Sequence, residues 1–207
     1  MRVTAEVKQR TQDRIVQAAC DLFSDRGFEK TTTRDIAKSA GIATGTLFNY
    51  FPSKEALAVS IIANAVSSAR DKFESKRRGG ESLEELLFLL VVTELREMAP
   101  HRSFVRAVLE TALSPFNSSP LANDGAQLRA AHLEAVADLV RESGLVGEPS
   151  LVVMHLYWTL YVGVVAFWSN DASPKQEETL VLLDQSLRLF VASLSSPMPR
   201  EEARHGA

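Results

Sequence analysis

The chain has a single cysteine, Cys20, in 207 residues, so no intramolecular disulfide and no multi-cysteine metal cluster can be built. A reducing, cytoplasmic setting fits this best. The four histidines show no ligand spacing, and neither a metal nor any other cofactor is expected. His-Glu-x-x-His, Gly-x-Ser-x-Gly and a pair of Glu-x-x-His motifs are all missing; the Gly41 to Thr46 stretch, which resembles a phosphate loop, lacks the lysine and follows a helix pattern. An enzyme is therefore not expected. The first 30 residues lack the apolar run of a signal peptide, and strand-like alternation, internal repeats and low-complexity tracts are absent.

Charge of one sign is scarce as well: 23 basic and 26 acidic side chains give a net charge of −3. Taken over the whole chain, this argues against a nucleic-acid partner. The sum hides a split, because residues 1–54 hold 9 basic and 6 acidic groups (+3) while residues 55–207 hold 14 and 20 (−6). A positive head on an acidic body remains compatible with phosphate.

What is present is helical periodicity. Ile15, Ala18, Ala19, Leu22 and Phe23 recur at helical spacing between Lys8 and Arg26, and Gly27 supplies the stop. Thr32 with Asp35 forms a capping pattern for a second helix to Ala40; Gly41 ends it, and a third short helix follows from Thr44 to Tyr50. Ser53 is the expected N-cap of a fourth helix from Lys54 to Lys76. Beyond the Arg77–Gly80 break, helical patterns occupy about 82–98, 101–114, 124–143, 149–169 and 174–195, separated by segments that carry Pro or Gly. The expected fold class is all-α with about nine helices: a head at 1–53, a body at 54–195 and a disordered tail at 196–207.

Leu151 to Trp168 holds no Asp, Glu, Lys or Arg and reaches the lower length limit for a membrane span. It lacks flanking Lys/Arg clusters and sits between amphipathic helices, so burial on several sides, including a subunit interface, is expected instead of a membrane.

The segment TTRDIAKSAGIATGTLFNYF, Thr32 to Phe51, places Ile36, Ala37, Ile42, Leu47 and Phe51 inward, the spacing of a helix-turn-helix whose second helix enters a major groove. Thr44, Thr46, Asn49 and Tyr50 form the outward polar set, with Gly45 leaving room for close approach. Arg34 and Lys54 stand at helix starts, where an exposed cation makes sense if a phosphate is shared with the helix end. Each has an ordinary reading as a solvated charge; their joint placement favours DNA.

Residues 10–57 resemble the DNA-binding domain of the TetR family of bacterial transcriptional regulators. The elements that match are Gly27-Phe28, Thr32-Thr33 before Arg34-Asp35-Ile36-Ala37, Ala40-Gly41-Ile42, Gly45-Thr46-Leu47-Phe48, Tyr50-Phe51 and Ser53-Lys54-Glu55-Ala56-Leu57. Phe48 departs from the family's common Tyr, so no hydroxyl is available there for a phosphate. The resemblance implies a ligand-responsive repressor that binds a palindromic operator in double-stranded DNA through Thr33, Arg34, Thr44, Gly45, Thr46, Phe48, Asn49, Tyr50 and Lys54. It further implies a body that binds a partly apolar small-molecule effector and forms a homodimer through the last two long helices. Val164, Phe167, Trp168, Leu183, Leu187 and Phe190 are the interface candidates.

His101, Phe104, Phe116, Asn117, His155 and Trp158 are candidates to line an effector cavity, with core or interface packing as the alternative for each. A second functional reading is a helical protein-interaction module without DNA binding. Salt separates the two, because phosphate contacts weaken steeply with salt and apolar contacts do not.

Overall fold

The computed structural model describes residues 5–111 and 122–195. Among these the element order is α1 (Ala5–Arg26), α2 (Thr33–Ser39), α3 (Thr44–Phe48), α4 (Lys54–Lys76), α5 (Leu83–Met98), α6 (Arg102–Thr111), α7 (Ala122–Ser143), α8 (Leu151–Asn170) and α9 (Glu177–Ser195), with single 3-10 turns before α6 and α9. No strand occurs among the described residues. The expected Phe116 and Asn117 and the expected tail lie outside them.

Local chemistry sets the helix ends. Gly27, with φ 81°, closes α1 by donating its N–H to the Phe23 carbonyl at 3.1 Å. Ser53 accepts from the Ala56 N–H at 3.1 Å, Ser150 accepts from Val153, and Ser82 forms a reciprocal box with Glu85. Each such cap contributes about 1 kcal/mol.

The three head helices close over Ile15, Ala19, Phe23, Ile36, Ala37 and Leu47, all buried. This core does not stop at residue 53. Phe23 meets Phe104 of α6 at 4.9 Å between ring centroids, and α4 carries Leu57 and Ile61 from the head into the body. In the body, α4 lies against α5, α6 and α7, while α8 pairs with α9, α9 lying against α5 and α8 against α6 and α7.

α8 is long and apolar enough to cross a membrane by length and composition. Val153, Tyr157, Trp158, Tyr161, Val164, Val165 and Trp168 are nevertheless buried inside the body. This corrects the interface candidates: Val164, Trp168, Leu183, Leu187 and Phe190 belong to the chain's own core, and Phe167 alone of the six is exposed, at 41%. An apolar stripe in sequence marks an inward face without saying whose core it enters. The outward face carries Leu151, Val152, Leu156 and Phe167 on α8 and Leu180, Val181 and Leu189 on α9. Gly163 lies on the same face, and a Cβ added there meets nothing within 4 Å.

Candidate nucleic-acid interface

Two short helices hold the candidate reading surface. At the start of α2, Thr32 and Asp35 bond reciprocally: Asp35 N–H donates to Thr32 Oγ1 at 3.2 Å and Thr32 N–H to Asp35 Oδ2 at 3.1 Å. The Thr32 hydroxyl, followed by the Thr32 N–H, holds the Asp35 carboxyl below its ordinary pKa. At the other end, Ile42 N–H reaches the Ala37 carbonyl at 3.0 Å and Gly41 N–H the Lys38 carbonyl at 3.2 Å, with Gly41 at φ 67°. This is a Schellman turn, and its left-handed residue is best supplied by glycine.

The turn aims α3. Leu47 and Phe51 are buried, Ile42 is half-buried, and the opposite side exposes Gly45, Phe48 and Asn49. Thr33, Thr44, Thr46 and Tyr50 are half-buried, and Arg34 is exposed. Among the described residues Arg34 has no hydrogen-bond or ion-pair partner. The helix stops two residues before the expected Tyr50: it ends at Phe48, and Asn49 caps it in αR geometry. Tyr50 turns back to line a groove between head and body with Phe51 and Pro52.

Lys54 differs from the expected phosphate contact. Its ammonium donates to the Phe28 carbonyl at 2.9 Å and the Thr31 carbonyl at 3.3 Å, and stands 4.3 Å from the centroid of the Phe28 ring. It ties the start of α4 to the loop that precedes α2.

The cavity candidates do not come together. His101 lies at the head–body junction, its Nδ1 3.9 Å from Cys20 Sγ and its ring tilted against Phe104 with centroids 5.6 Å apart; burial lowers its pKa. Phe104 is part of the core. His155 is exposed and shared between the Leu151 carbonyl and Arg129, each at 3.0 Å. Trp158 does line an interior cavity of about 20 Å³, in company that sequence reasoning missed: His132, Tyr161, Met98 and Val165. His132 Nδ1 sits 2.9 Å from Glu94 Oε1, and its Nε2 sits 2.9 Å from the Tyr157 hydroxyl. The available signal was Glu94 and His132 each standing on an apolar stripe, in step with Leu87, Leu90 and Met98 on α5 and with Leu128, Val136 and Leu139 on α7.

Comparison with known proteins agrees with this geometry. The family described as bacterial regulatory proteins, tetR family, matches residues 15–61, and the tetracyclin repressor-like C-terminal domain matches residues 86–202. The HTH-type transcriptional regulator UidR of Escherichia coli K12 is 32% identical over 146 residues, 69% of this chain and 70% of that one. YvdT of Bacillus subtilis, described as an HTH-type transcriptional regulator, is 35% identical over 79 residues, 38% of this chain and 41% of its own length. The repressor KstR2 of Mycolicibacterium smegmatis is 45% identical over 51 residues, a quarter of each chain. Among solved structures, Thermus thermophilus FadR in complex with lauroyl-CoA shares the fold at a TM-score of 0.70 and 24% identity, covering 94% of this chain and 100% of that one.

Proposed function

Since this chain belongs to the TetR family of bacterial regulatory proteins, we propose that it works as a cytoplasmic homodimeric repressor, released from a palindromic operator when a small molecule binds in its body. That it is a DNA-binding transcriptional regulator follows from the family itself.

One observation carries the reading of the site: α3 is held from behind by buried Leu47 and Phe51 while Gly45, Phe48 and Asn49 stand free on its other side. In a major groove the Asn49 amide bonds a base edge, Thr44 and Thr46 reach bases or phosphates, and the Phe48 ring meets a thymine methyl. Arg34, with Thr33 beside it, takes a phosphate. Tyr50 and Lys54 act from behind, positioning the head on α4.

Dimerisation places two such heads side by side. The apolar outward face of α8 and α9, from Leu151 to Phe167 and from Leu180 to Leu189, is the surface that a second copy covers, and Gly163 lets the two α8 helices approach. Half-sites then lie about one helical turn apart or slightly more.

Effector release rests on the continuous core that joins head and body. The solved FadR complex holds lauroyl-CoA, which supports a body of this fold taking a small molecule. Linkage requires operator and effector to weaken each other by the same factor. Effector titration with and without operator tests this, and equal affinities would refute the coupling.

A further inference from the structure

The groove between head and body gathers polar groups that the DNA-reading surface does not use. Its volume of about 480 Å³ is that of a small-molecule site, and it runs along α4 from Ala56 to Arg70. Fourteen positions of α-helix separate these residues, about 21 Å along the axis, so the groove is long and narrow. The head builds one end, with Gln12 of α1 and with Tyr50, Phe51 and Pro52 of the link between α3 and α4. Arg70 stands at the other end beside Ala131 of α7.

Arg70 is the only charged residue in the lining, which contains no Asp or Glu. Its Nη2 donates to the Ala131 carbonyl at 2.5 Å, and among the described residues no carboxylate pairs with it. Glu74, Asp138 and Glu142, which share a neighbouring crevice with Arg70, pair with Arg77 and Arg141 instead. A lone cation in a crevice attracts an anion, and the planar guanidinium fork matches the two oxygens of a carboxylate. Gln12, Tyr50, Ser60, Ser67 and Gln127 also line the groove, and their side chains have no hydrogen-bond partner among the described residues. The contrast along α1 is direct. Gln9 and Gln17 each donate to an aspartate four residues on at 2.9 Å, whereas Gln12 has Val16 at that spacing. Between the polar ends, Val59, Val66 and Leu128 supply apolar surface.

We propose that the effector is an elongated monoanion, with a carboxylate or a group of that shape at one end and an apolar group at the other, lying along α4 in this groove. Arg70 takes the anion, Val59, Val66 and Leu128 take the apolar length, and the far end rests against Gln12, Tyr50 and Pro52. That end touches the residue next to Asn49, the cap of α3. The Tyr50 and Phe51 N–H groups both donate to the Leu47 carbonyl, at 2.9 and 3.0 Å, so a ligand that displaces this link moves the reading helix with it. The inference rests on the effector-release reading above and names its ligand and its place.

The test uses the full chain and four straight-chain probes: decanoate, decanol, decylamine and the short butyrate. Calorimetric titration measures binding, and fluorescence anisotropy follows operator release. Decanoate binds roughly tenfold or more tightly than the other three, and it alone releases operator. Arg70→Gln brings decanoate down to the affinity of decanol, while Arg70→Lys, which keeps a cation in place, retains a preference for decanoate. Ala63→Trp, midway along the groove, weakens decanoate by a similar factor and leaves Arg70 intact. Equal affinity for decanoate and decanol, an anion preference that survives Arg70→Gln, decanoate binding unchanged by Ala63→Trp, or no binding by any probe overturns the inference. So does decanoate affinity that falls as protein concentration rises, which would put a second copy of the chain in the groove. The two readings fail separately. Decanoate that binds through Arg70 and leaves operator affinity unchanged keeps the site and refutes release, whereas operator release by decanol that Arg70→Gln does not alter keeps release and refutes the site.

Discussion

Lys54 Nζ lies 2.9 Å from the carbonyl oxygen of Phe28 and 4.3 Å from the centroid of the same residue's ring. One cation therefore fastens the first residue of α4 to the loop that leads into α2. Lys54→Ala is expected to cost about 1–3 kcal/mol through the lost charge-assisted bonds and ring contact. Thermal melting shows this as a lower midpoint, while the salt dependence of operator binding keeps its slope. A slope shallower by about one would instead return Lys54 to the phosphate.

Asn49 presents its amide at the exposed end of α3, unshielded by neighbours. Asn49→Ala should lose about 1–3 kcal/mol of discrimination at one base pair of each half-site, with nonspecific binding little changed. Competition between the selected operator and variants at each position measures it.

Phe167 and Trp168 are adjacent in sequence and opposite in role. Trp168 is buried, stands 5.5 Å from the Arg102 guanidinium and donates its indole N–H to Gln176 Oε1 at 2.9 Å; Phe167 is open. Trp168→Ala should destabilise the fold by about 3–5 kcal/mol. Phe167→Glu should leave a folded chain that sediments as a monomer and binds operator weakly. A variant that stays dimeric would remove this face from the interface.

Asp171 joins the end of α8 to the start of α9, accepting the Thr179 hydroxyl at 2.6 Å, the Thr179 N–H at 3.0 Å and the Ser173 N–H at 2.8 Å. The Thr179 hydroxyl is the largest cause of a carboxyl pKa held far below the usual range, and the Ser173 contacts add to it. A depressed folded pKa means that the stabilisation is complete above the ordinary carboxylate value and is lost as pH falls through the folded one. Asp171→Ala is therefore expected to melt lower than the parent near neutral pH, and the gap should close only in strong acid. Melts across that range measure the gap.

The helices were legible because their signals are local. Thr32 with Asp35, Gly41 and Ser53 state their caps in adjacent residues, and all three act as the spacing predicts. The inward set Ile36, Ala37, Leu47 and Phe51 was legible for the same reason. Illegible were the choices made between distant segments. Lys54 meets a loop some 26 residues earlier, and the bonds of His132 with Glu94 and Tyr157 join α7 to α5 and α8, so neither appears in any short window. The stripe of Leu183, Leu187 and Phe190 was visible, but only the three-dimensional arrangement shows that it faces α5 and α8.

The most direct test of the central claim is the equilibrium constant for a duplex selected from random DNA, measured by anisotropy across a range of salt concentrations. A homodimeric regulator that holds phosphate through Arg34 and its neighbours and reads bases through α3 should bind as two chains per site. Its affinity should fall steeply and linearly on logarithmic axes, and Arg34→Ala should make the slope shallower by roughly one per subunit. Binding that is independent of salt, or a slope that Arg34→Ala leaves unchanged together with undiminished affinity in Asn49→Ala, would contradict it.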